Sequence, residues 1–415
     1  MWKGLTLYAA RIRQFQPNAR LYLLSVILTG LGFGVYRLLF NFYILSLNYS
    51  ESFLGTLITV NSFVALLGAL PAGFVSDALG RKRTLLLGSG LAVLSIAGVV
   101  LWRHSLGFLA MNVLSGIGQS LIGVTGSPFL MENSREEERS YLFSFSFGLQ
   151  TLAGFAGNWL GGHLPAWAGA LSGTSATSTT AYAGALLAVT GVSALAIVPL
   201  ALLRRNRQAE TTRSLFAPFQ YAREKPRMLI TLIGPMWVTA LGAGLLMPFV
   251  NVFYRANYHQ SDATIGTLFA IGSLMMGVGL LSAPPLADRM GKIHMVVVTQ
   301  ALSIPFLFLM GFAPWFWLSA IAYLVRLALM NMSNPVYQAF VMEHVEPDAR
   351  ATVASLVSMS WNFGWAFSPQ VSGWIQDHYG FAPIFVGTGI AYVLAIVLYY
   401  WFFLSGRSGR AAPTS

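Results

Sequence analysis

Long runs of apolar residues, separated by short polar segments, recur along the whole chain. Twelve such runs are close to the roughly 20 residues that a helix needs to cross the apolar layer of a bilayer. No segment shows the alternation of apolar and polar residues over about ten positions that is typical of a transmembrane β-strand. The pattern predicts twelve membrane-spanning helices, at approximately 21–47, 52–76, 84–102, 106–131, 140–162, 181–203, 228–255, 262–286, 294–313, 316–342, 350–375 and 382–404.

Composition supports an all-α membrane protein. Charged residues make up 9% of the chain and hydrophobic residues 55%, whereas about 25% of a soluble domain is charged. The first apolar run is too long for the core of a cleavable signal peptide, so we interpret it as the first span. The chain has no cysteine, and the spans contain no catalytic or metal-ligating constellation. We therefore expect neither an enzyme nor a bound cofactor or metal.

The basic residues predict the orientation of the chain. Of its 25 Lys and Arg residues, 21 lie on one side of the predicted membrane, and only Arg103 and Arg255 lie on the other. Because basic loops remain in the cytoplasm, both termini are predicted to be cytoplasmic in a multi-pass protein of the cytoplasmic membrane. The net charge of +11 is then a topological signal rather than a sign of nucleic-acid binding. The expected partners are the lipid bilayer and a small-molecule substrate, and we expect a monomer.

The two halves of the chain repeat one another. A shift of 210 places Gly32, Gly34 and Asn41 on Gly242, Gly244 and Asn251, and a shift of 211 places Asp77, Gly80 and Arg81 on Asp288, Gly291 and Lys292. Duplicated six-helix halves around a shared substrate site are typical of secondary transporters. The sequence thus predicts one bundle at 1–203, a cytoplasmic linker at 204–227, a second bundle at 228–405 and a disordered tail at 406–415.

A charged turn carries the resemblance to a known family. The segment Gly73-x-x-x-Asp77-x-x-Gly80-Arg81-Lys-Arg, between two spans of a twelve-helix duplicated chain, resembles the major facilitator superfamily. This resemblance implies two six-helix bundles and an alternating-access carrier in which spans 1, 4, 7 and 10 line a central cavity. It does not fix the substrate.

Two further segments resemble a motif of exporters in this superfamily. Span 5 contains Gly157-Asn-Trp-Leu-Gly-Gly162, and span 11 contains Ser368-Pro-Gln-Val-Ser-Gly373. Close packing of small residues between helices is the alternative interpretation. Asn112 stands where drug exporters of the family carry an arginine, which weighs against drug–proton antiport.

Charges around the turn are predicted to form a cytoplasmic gate. The resemblance implies that Asp77 faces the start of span 11, near Arg350, and that Arg81 pairs with Glu132. Lys292 and Glu343 form the corresponding pair in the second half. A turn that merely keeps basic residues in the cytoplasm is the alternative. The predicted gating residues are Gly73, Asp77, Gly80, Arg81, Glu132, Arg139, Asp288, Gly291, Lys292, Glu343 and Arg350.

Arg37 and Arg326 are the ionisable residues that fall well inside predicted spans. Each is about ten residues, or roughly 15 Å, from the outer end of its span. The acidic residues all lie in loops or near span ends, so no carboxylate is expected at this depth. Two such arginines suit a bound carboxylate or phosphate. Hydrogen bonds that lock helix packing, to Asn41 for Arg37 and to Asn334 or Tyr337 for Arg326, are the alternative.

The predicted substrate-binding residues are Arg37, Arg326, Asn41, Asn112, Gln119, Asn334, Trp361 and Asn362. Because the histidines also lie near span ends or in loops, no proton relay is evident through the centre of the membrane. The sequence thus favours an alternating-access transporter of a small organic solute, anionic or amphipathic, with export as one possible direction. Multidrug efflux by proton antiport and a transport-inactive receptor or scaffold are the alternatives.

Overall fold

The structure of the protein is a computed structural model that describes residues 15–204, 221, 223–346 and 349–405. Twelve long helices and no β-strand are found in these residues, which confirms the prediction of an all-α fold. The helices are α1 Pro17–Ser46, α2 Glu51–Leu79, α3 Arg81–Leu101, α4 Ser105–Glu132, α5 Glu136–Ser172, α6 Thr179–Ala201, α7 Pro226–Tyr258, α8 Asp262–Met290, α9 Lys292–Phe312, α10 Phe316–Glu343, α11 Arg350–Tyr379 and α12 Ala382–Phe403. The predicted tail at 406–415 and most of the predicted linker at 204–227 lie outside the described residues.

Ten of the twelve described helices are long and apolar enough to cross a membrane by length and composition. The other two, α5 and α11, carry more serine, amide and charged residues. Helix α5 also continues about ten residues beyond the predicted end of span 5, through Pro165 to Ser172. The missing amide of a proline interrupts one hydrogen bond of a helix without ending it when neighbouring packing holds the rest.

The described residues form two units. One contains 15–46 and 67–204, and the other contains 47–66 and the described residues from 221 onward. In the first unit α1 packs against α5 and α6, and α3 packs against α4 and α6. In the second, α7 packs against α11 and α12, and α9 packs against α10 and α12. Equivalent helices therefore make equivalent contacts, as an internal duplication requires.

Glycines allow some of these helices to approach closely. A Cβ atom added to Gly157 of α5 would lie 2.4 Å from the carbonyl oxygen of Leu31 in α1. A Cβ atom added to Gly364 of α11 would lie 2.5 Å from the backbone of Ala240 in α7. Such contacts exclude any larger residue. Gly157, part of the segment that resembles an exporter motif, thus has a packing role in this structure.

Helix α7 contains a short break. Residues Met247–Phe249 form a turn of 3₁₀-helix because Pro248 cannot donate a backbone hydrogen bond and clashes with the preceding turn. This break lies beside the buried Arg326, which is described below.

Candidate functional site

The turn between α2 and α3 depends on Gly80. Its φ of 86° lies in the left-handed region that glycine adopts without strain. This conformation separates α2, which ends at Leu79, from α3, which begins at Arg81, and it leaves Arg81 four residues after Asp77. Gly291 has a φ of 83° at the equivalent turn between α8 and α9.

Arg81 is the centre of a polar cluster in the first unit. Its Nη1 donates to Oδ1 of Asp77 at 2.7 Å and to Oγ of Ser76 at 2.6 Å, and its Nε donates to Oε1 of Glu132 at 2.9 Å. Thr125 of α4 donates to the same Ser76 hydroxyl at 3.1 Å. The Arg81 side chain is 13% exposed, so the two carboxylates offset the cost of removing its charge from water. The structure thus brings Asp77, Arg81 and Glu132 together, joining α2, α3 and α4.

The equivalent cluster in the second unit is smaller. Lys292 forms an ion pair with Glu343 of α10, and the Lys292 side chain is 37% exposed. Asp288, the counterpart of Asp77, is exposed and has no ion pair or hydrogen bond among the described residues. An ammonium group presents a single point charge, whereas a guanidinium can bind two carboxylates at once. The second turn is thus held more weakly than the first.

The remaining predicted gating residues contribute less to these clusters. Gly73 has no close neighbour, since an added Cβ would meet only Val124 at 3.9 Å. Arg139 makes one long contact, from Nε to Oγ of Ser134 at 3.5 Å. Arg350 begins α11, but its side chain lies outside the part that the structure describes.

Arg326 of α10 is enclosed within the second unit, with 1% of its surface exposed. Its Nη2 donates to the hydroxyl of Tyr392 in α12 at 2.9 Å, and its Nη1 lies 3.9 Å from Sδ of Met247. Its Nε has no partner among the described residues. A guanidinium has five N–H donors, so one neutral oxygen and one thioether leave it far from satisfied. Neither Asn334 nor Tyr337, the predicted structural partners, is among its hydrogen-bond partners.

Arg37 of α1 has the opposite environment. Its side chain is exposed and makes no hydrogen bond or ion pair among the described residues. Phe33, one turn earlier on the same face, is also exposed. An unpaired guanidinium near the middle of a span would be costly against lipid.

The other predicted substrate-binding residues divide by exposure. Asn41 and Asn112 are buried, and Nδ2 of Asn112 donates to the carbonyl of Phe108 at 2.9 Å. Asn334 and Trp361 are half-buried, with Trp361 packed against the core of the second unit. Gln119 and Asn362 are exposed. Exposed side chains are the ones that can meet a solute without rearrangement of the bundle.

Sequence reasoning missed three polar contacts that the structure shows, two of them at these sites. Tyr392 is the hydrogen-bond partner of Arg326, and Ser76 is a partner of Arg81. Asp377 of α11 accepts from the backbone amides of Glu51 and Ser52 at 3.0 and 2.9 Å, so it caps the start of α2. The helical spacing pointed to Asn334 and Tyr337, on the same helix as Arg326, as its neutral partners. A tyrosine two helices away in the chain gives no signal in a single sequence.

Comparison with known proteins agrees with this fold. The model of the Major Facilitator Superfamily matches residues 22–241 and 235–415. An uncharacterized MFS-type transporter of Burkholderia mallei (strain SAVP1) is 23% identical over 366 residues, which cover 85% of this chain and 83% of that protein. The niacin transporter NiaP of Acinetobacter baylyi is 26% identical over 172 residues, which cover 41% of this chain and 39% of that protein.

Solved structures are also similar. The crystal structure of nucleoside transporter NupG has a TM-score of 0.71 at 15% identity, and the match covers 93% of this chain and 98% of that one. At this level of identity the likeness describes the fold. With the family model matched along nearly the whole chain, this multi-pass membrane protein belongs to the major facilitator superfamily of transporters.

Proposed function

We propose that this protein is an alternating-access carrier of a small organic anion, with Arg37 as a direct contact of the anionic group. The observation that carries the proposal is the exposed guanidinium of Arg37, which has no carboxylate partner among the described residues and falls near the middle of a predicted span. A carboxylate or phosphate of the substrate would accept two parallel hydrogen bonds from it. Gln119 and Asn362 are exposed amides that suit the neutral polar groups of such a solute.

The class of anion that we favour is a small aromatic carboxylate. Exposed Phe33 lies one helical turn from Arg37, so a ring and a carboxylate can be bound by neighbouring side chains. A relative over part of the chain is a niacin transporter, and niacin is a pyridine carboxylic acid. The nucleoside transporter of similar fold, in contrast, takes a solute without a carboxylate.

The protein acts, in this proposal, as a monomer in the cytoplasmic membrane with both termini in the cytoplasm. The excess of basic residues on one side of the spans supports this orientation. No carboxylate or histidine of the sequence falls at the centre of a span, so we propose that substrate movement is not coupled to a proton relay there.

Uptake into proteoliposomes tests the proposal. Nicotinate, benzoate and a neutral nucleoside are supplied to the wild type and to Arg37→Gln and Arg37→Lys. We expect Arg37→Gln to lose anion transport about 100-fold, because a charge-assisted hydrogen-bonded pair is removed, and Arg37→Lys to retain part of it. Transport of any neutral solute should change less than threefold. Wild-type anion transport by Arg37→Gln would contradict the assignment.

The same vesicles address direction and coupling. Loading labelled anion inside or outside compares export with import, and an imposed pH gradient tests coupling to protons. We expect the gradient to leave the initial rate within twofold once the protonation of the substrate itself is held constant. A rate that follows the direction of the gradient would contradict proton-independent transport.

A further inference from the structure

The basic end of the first unit contains a cleft that the transport proposal does not use. It lies between the α2–α3 turn, the end of α4 and Arg204, which follows α6. Among the described residues that line it are four cations, Arg81, Lys82, Arg83 and Arg204, and one acidic residue, Glu132. We call this cavity the basic cleft.

Three of the four cations have no carboxylate partner within the part of the chain that the structure describes. Glu132 is already bound to Arg81, and no ion pair among the described residues involves Lys82, Arg83 or Arg204. Lys82 donates to the carbonyl of Leu203 at 2.7 Å, which draws the start of α3 toward the end of α6. Three positive side chains that share one cleft repel one another, and a bound anion would relieve that repulsion.

Neutral contacts hold the wall of the basic cleft in place. The Arg204 backbone amide donates to Oδ1 of Asn18 at 2.8 Å, and Nδ2 of Asn18 donates to Oδ1 of Asn133 at 2.9 Å. Asn133 lines the cleft and is buried, with Nδ2 donating to the carbonyl of Phe129. The backbone that carries the cations is therefore ordered before any anion binds, which limits the conformational entropy lost on binding.

The cations stand beside exposed apolar side chains. Leu79 lines the cleft and is 42% exposed, and Leu202, two residues before Arg204, is 63% exposed. Both lie at ends of helices that are long and apolar enough to cross a membrane. A soluble phosphate would use only the cations, whereas a phospholipid would also place its acyl chains against these leucines.

We propose that the basic cleft binds the phosphate of an anionic phospholipid headgroup, with Lys82, Arg83 and Arg204 as its ligands. Basic pockets between membrane helices are known to suit such headgroups. A bound headgroup would link the start of α3 to the end of α6 beside the Arg81 cluster. The site is thus a lipid site of the first unit, independent of the substrate of the carrier.

Thermal unfolding of the full-length protein in a neutral detergent tests whether the ligand is a lipid. Phosphatidylglycerol, phosphatidylcholine, inorganic phosphate and glycerol 3-phosphate are added separately to the wild type. We expect phosphatidylglycerol to raise the melting temperature, and the other three to leave it unchanged at matched concentration. Equal stabilisation by inorganic phosphate would overturn the lipid assignment in favour of a soluble anion, and equal stabilisation by phosphatidylcholine would overturn an anion site.

Substitutions locate the site. In Arg83→Gln/Arg204→Gln, which changes two exposed side chains, native mass spectrometry should show phosphatidylglycerol binding about tenfold more weakly. The matched control is Arg227→Gln/Arg289→Gln, which removes two exposed cations of the second unit and should retain wild-type affinity. Unchanged binding in the first variant, or an equal loss in the control, would overturn the proposal. Native mass spectrometry measures lipid bound to the folded protein, so the result does not depend on whether the variant still transports substrate.

Discussion

The α2–α3 turn and the α8–α9 turn have nearly the same backbone but different ion pairs. Gly80 and Gly291 have φ values of 86° and 83°, and each precedes a helix of 21 residues. In the first turn, however, one arginine binds two carboxylates and a serine, whereas in the second a lysine binds a single glutamate. Duplication has preserved the geometry that glycine permits, while the charges have diverged.

The two arginines inside spans differ in the same way. Under the repeat, Arg37 of α1 corresponds to Met247 of α7, and Arg326 of α10 corresponds to Ser115 of α4. Each unit thus carries one arginine, but at a different helix, and Met247 contacts the Arg326 of its own unit. One guanidinium is exposed and the other is buried. The comparison indicates that the repeats share a scaffold but carry different charges on it.

The largest expected effect comes from the buried arginine. Arg326→Met removes a charge that has one neutral oxygen partner and fills similar volume with an apolar chain. We expect the melting temperature to stay the same or rise, since a poorly paired buried charge adds little stability. Anion transport should fall about 100-fold if the unpaired Nε meets substrate during the cycle, the size expected for a lost charge-assisted hydrogen bond.

The same measurements on Tyr392→Phe sharpen that test. This variant keeps the charge of Arg326 and removes its hydrogen bond to oxygen, so it should destabilise the protein by about 1–3 kcal/mol. If Arg326→Met lowers the melting temperature as much as Tyr392→Phe and leaves transport intact, Arg326 serves packing alone.

The next largest effect is a difference in transport rate between variants of the two turns. Arg81→Gln removes a mostly buried cation that contacts two partly exposed carboxylates, and we expect the initial rate of transport to fall about tenfold. Lys292→Gln breaks one exposed pair and should lower the rate less than threefold. Initial rates in proteoliposomes at equal protein content measure both. Equal losses in the two variants would contradict the prediction that the first turn contributes more to gating than the second.

The duplicated pattern explains why the two bundles and the ion pairs at their turns could be predicted from the sequence. The spacing of 51 residues between Arg81 and Glu132 recurs between Lys292 and Glu343, and each pair follows a glycine at the end of the preceding helix. Charges at helix ends thus have few possible partners. The partner of Arg326 is harder to predict, because it depends on which faces of α10 and α12 point toward each other. In a helix that is apolar on all sides, the sequence gives little indication of which face is buried. The role of Tyr392 as that partner is evident only once the packing of the helices is known.

The acidic residues of the two turns offer a smaller and matched test. Asp77 binds the mostly buried Arg81, whereas its counterpart Asp288 has no ion pair or hydrogen bond among the described residues. We expect Asp77→Asn to lower the free energy of unfolding by about 1 kcal/mol and Asp288→Asn to leave it within a few tenths. Thermal unfolding of both variants in the same detergent gives the difference. A larger loss for Asp288→Asn would show that the second turn has partners that form only in another conformation.

The smallest effect is expected for an ion pair of the second unit that is open to solvent. Lys225 donates to Glu346 at 2.6 Å, and this carboxylate raises the pKa of the Lys225 ammonium above its ordinary value of 10.5. A raised pKa adds stability that is complete below the pKa of the unfolded state and is lost only as pH rises through the pKa of the folded state.

Between pH 6 and 9 the melting temperature of Lys225→Gln should therefore differ from that of the wild type by a small, constant amount. Because this pair is exposed, 0.5 M salt should remove even that difference, whereas the ion pairs of Arg81, whose side chain is 13% exposed, should respond to salt less. A pH-dependent gap between Lys225→Gln and the wild type in this range would mean that another titrating group shares the pair.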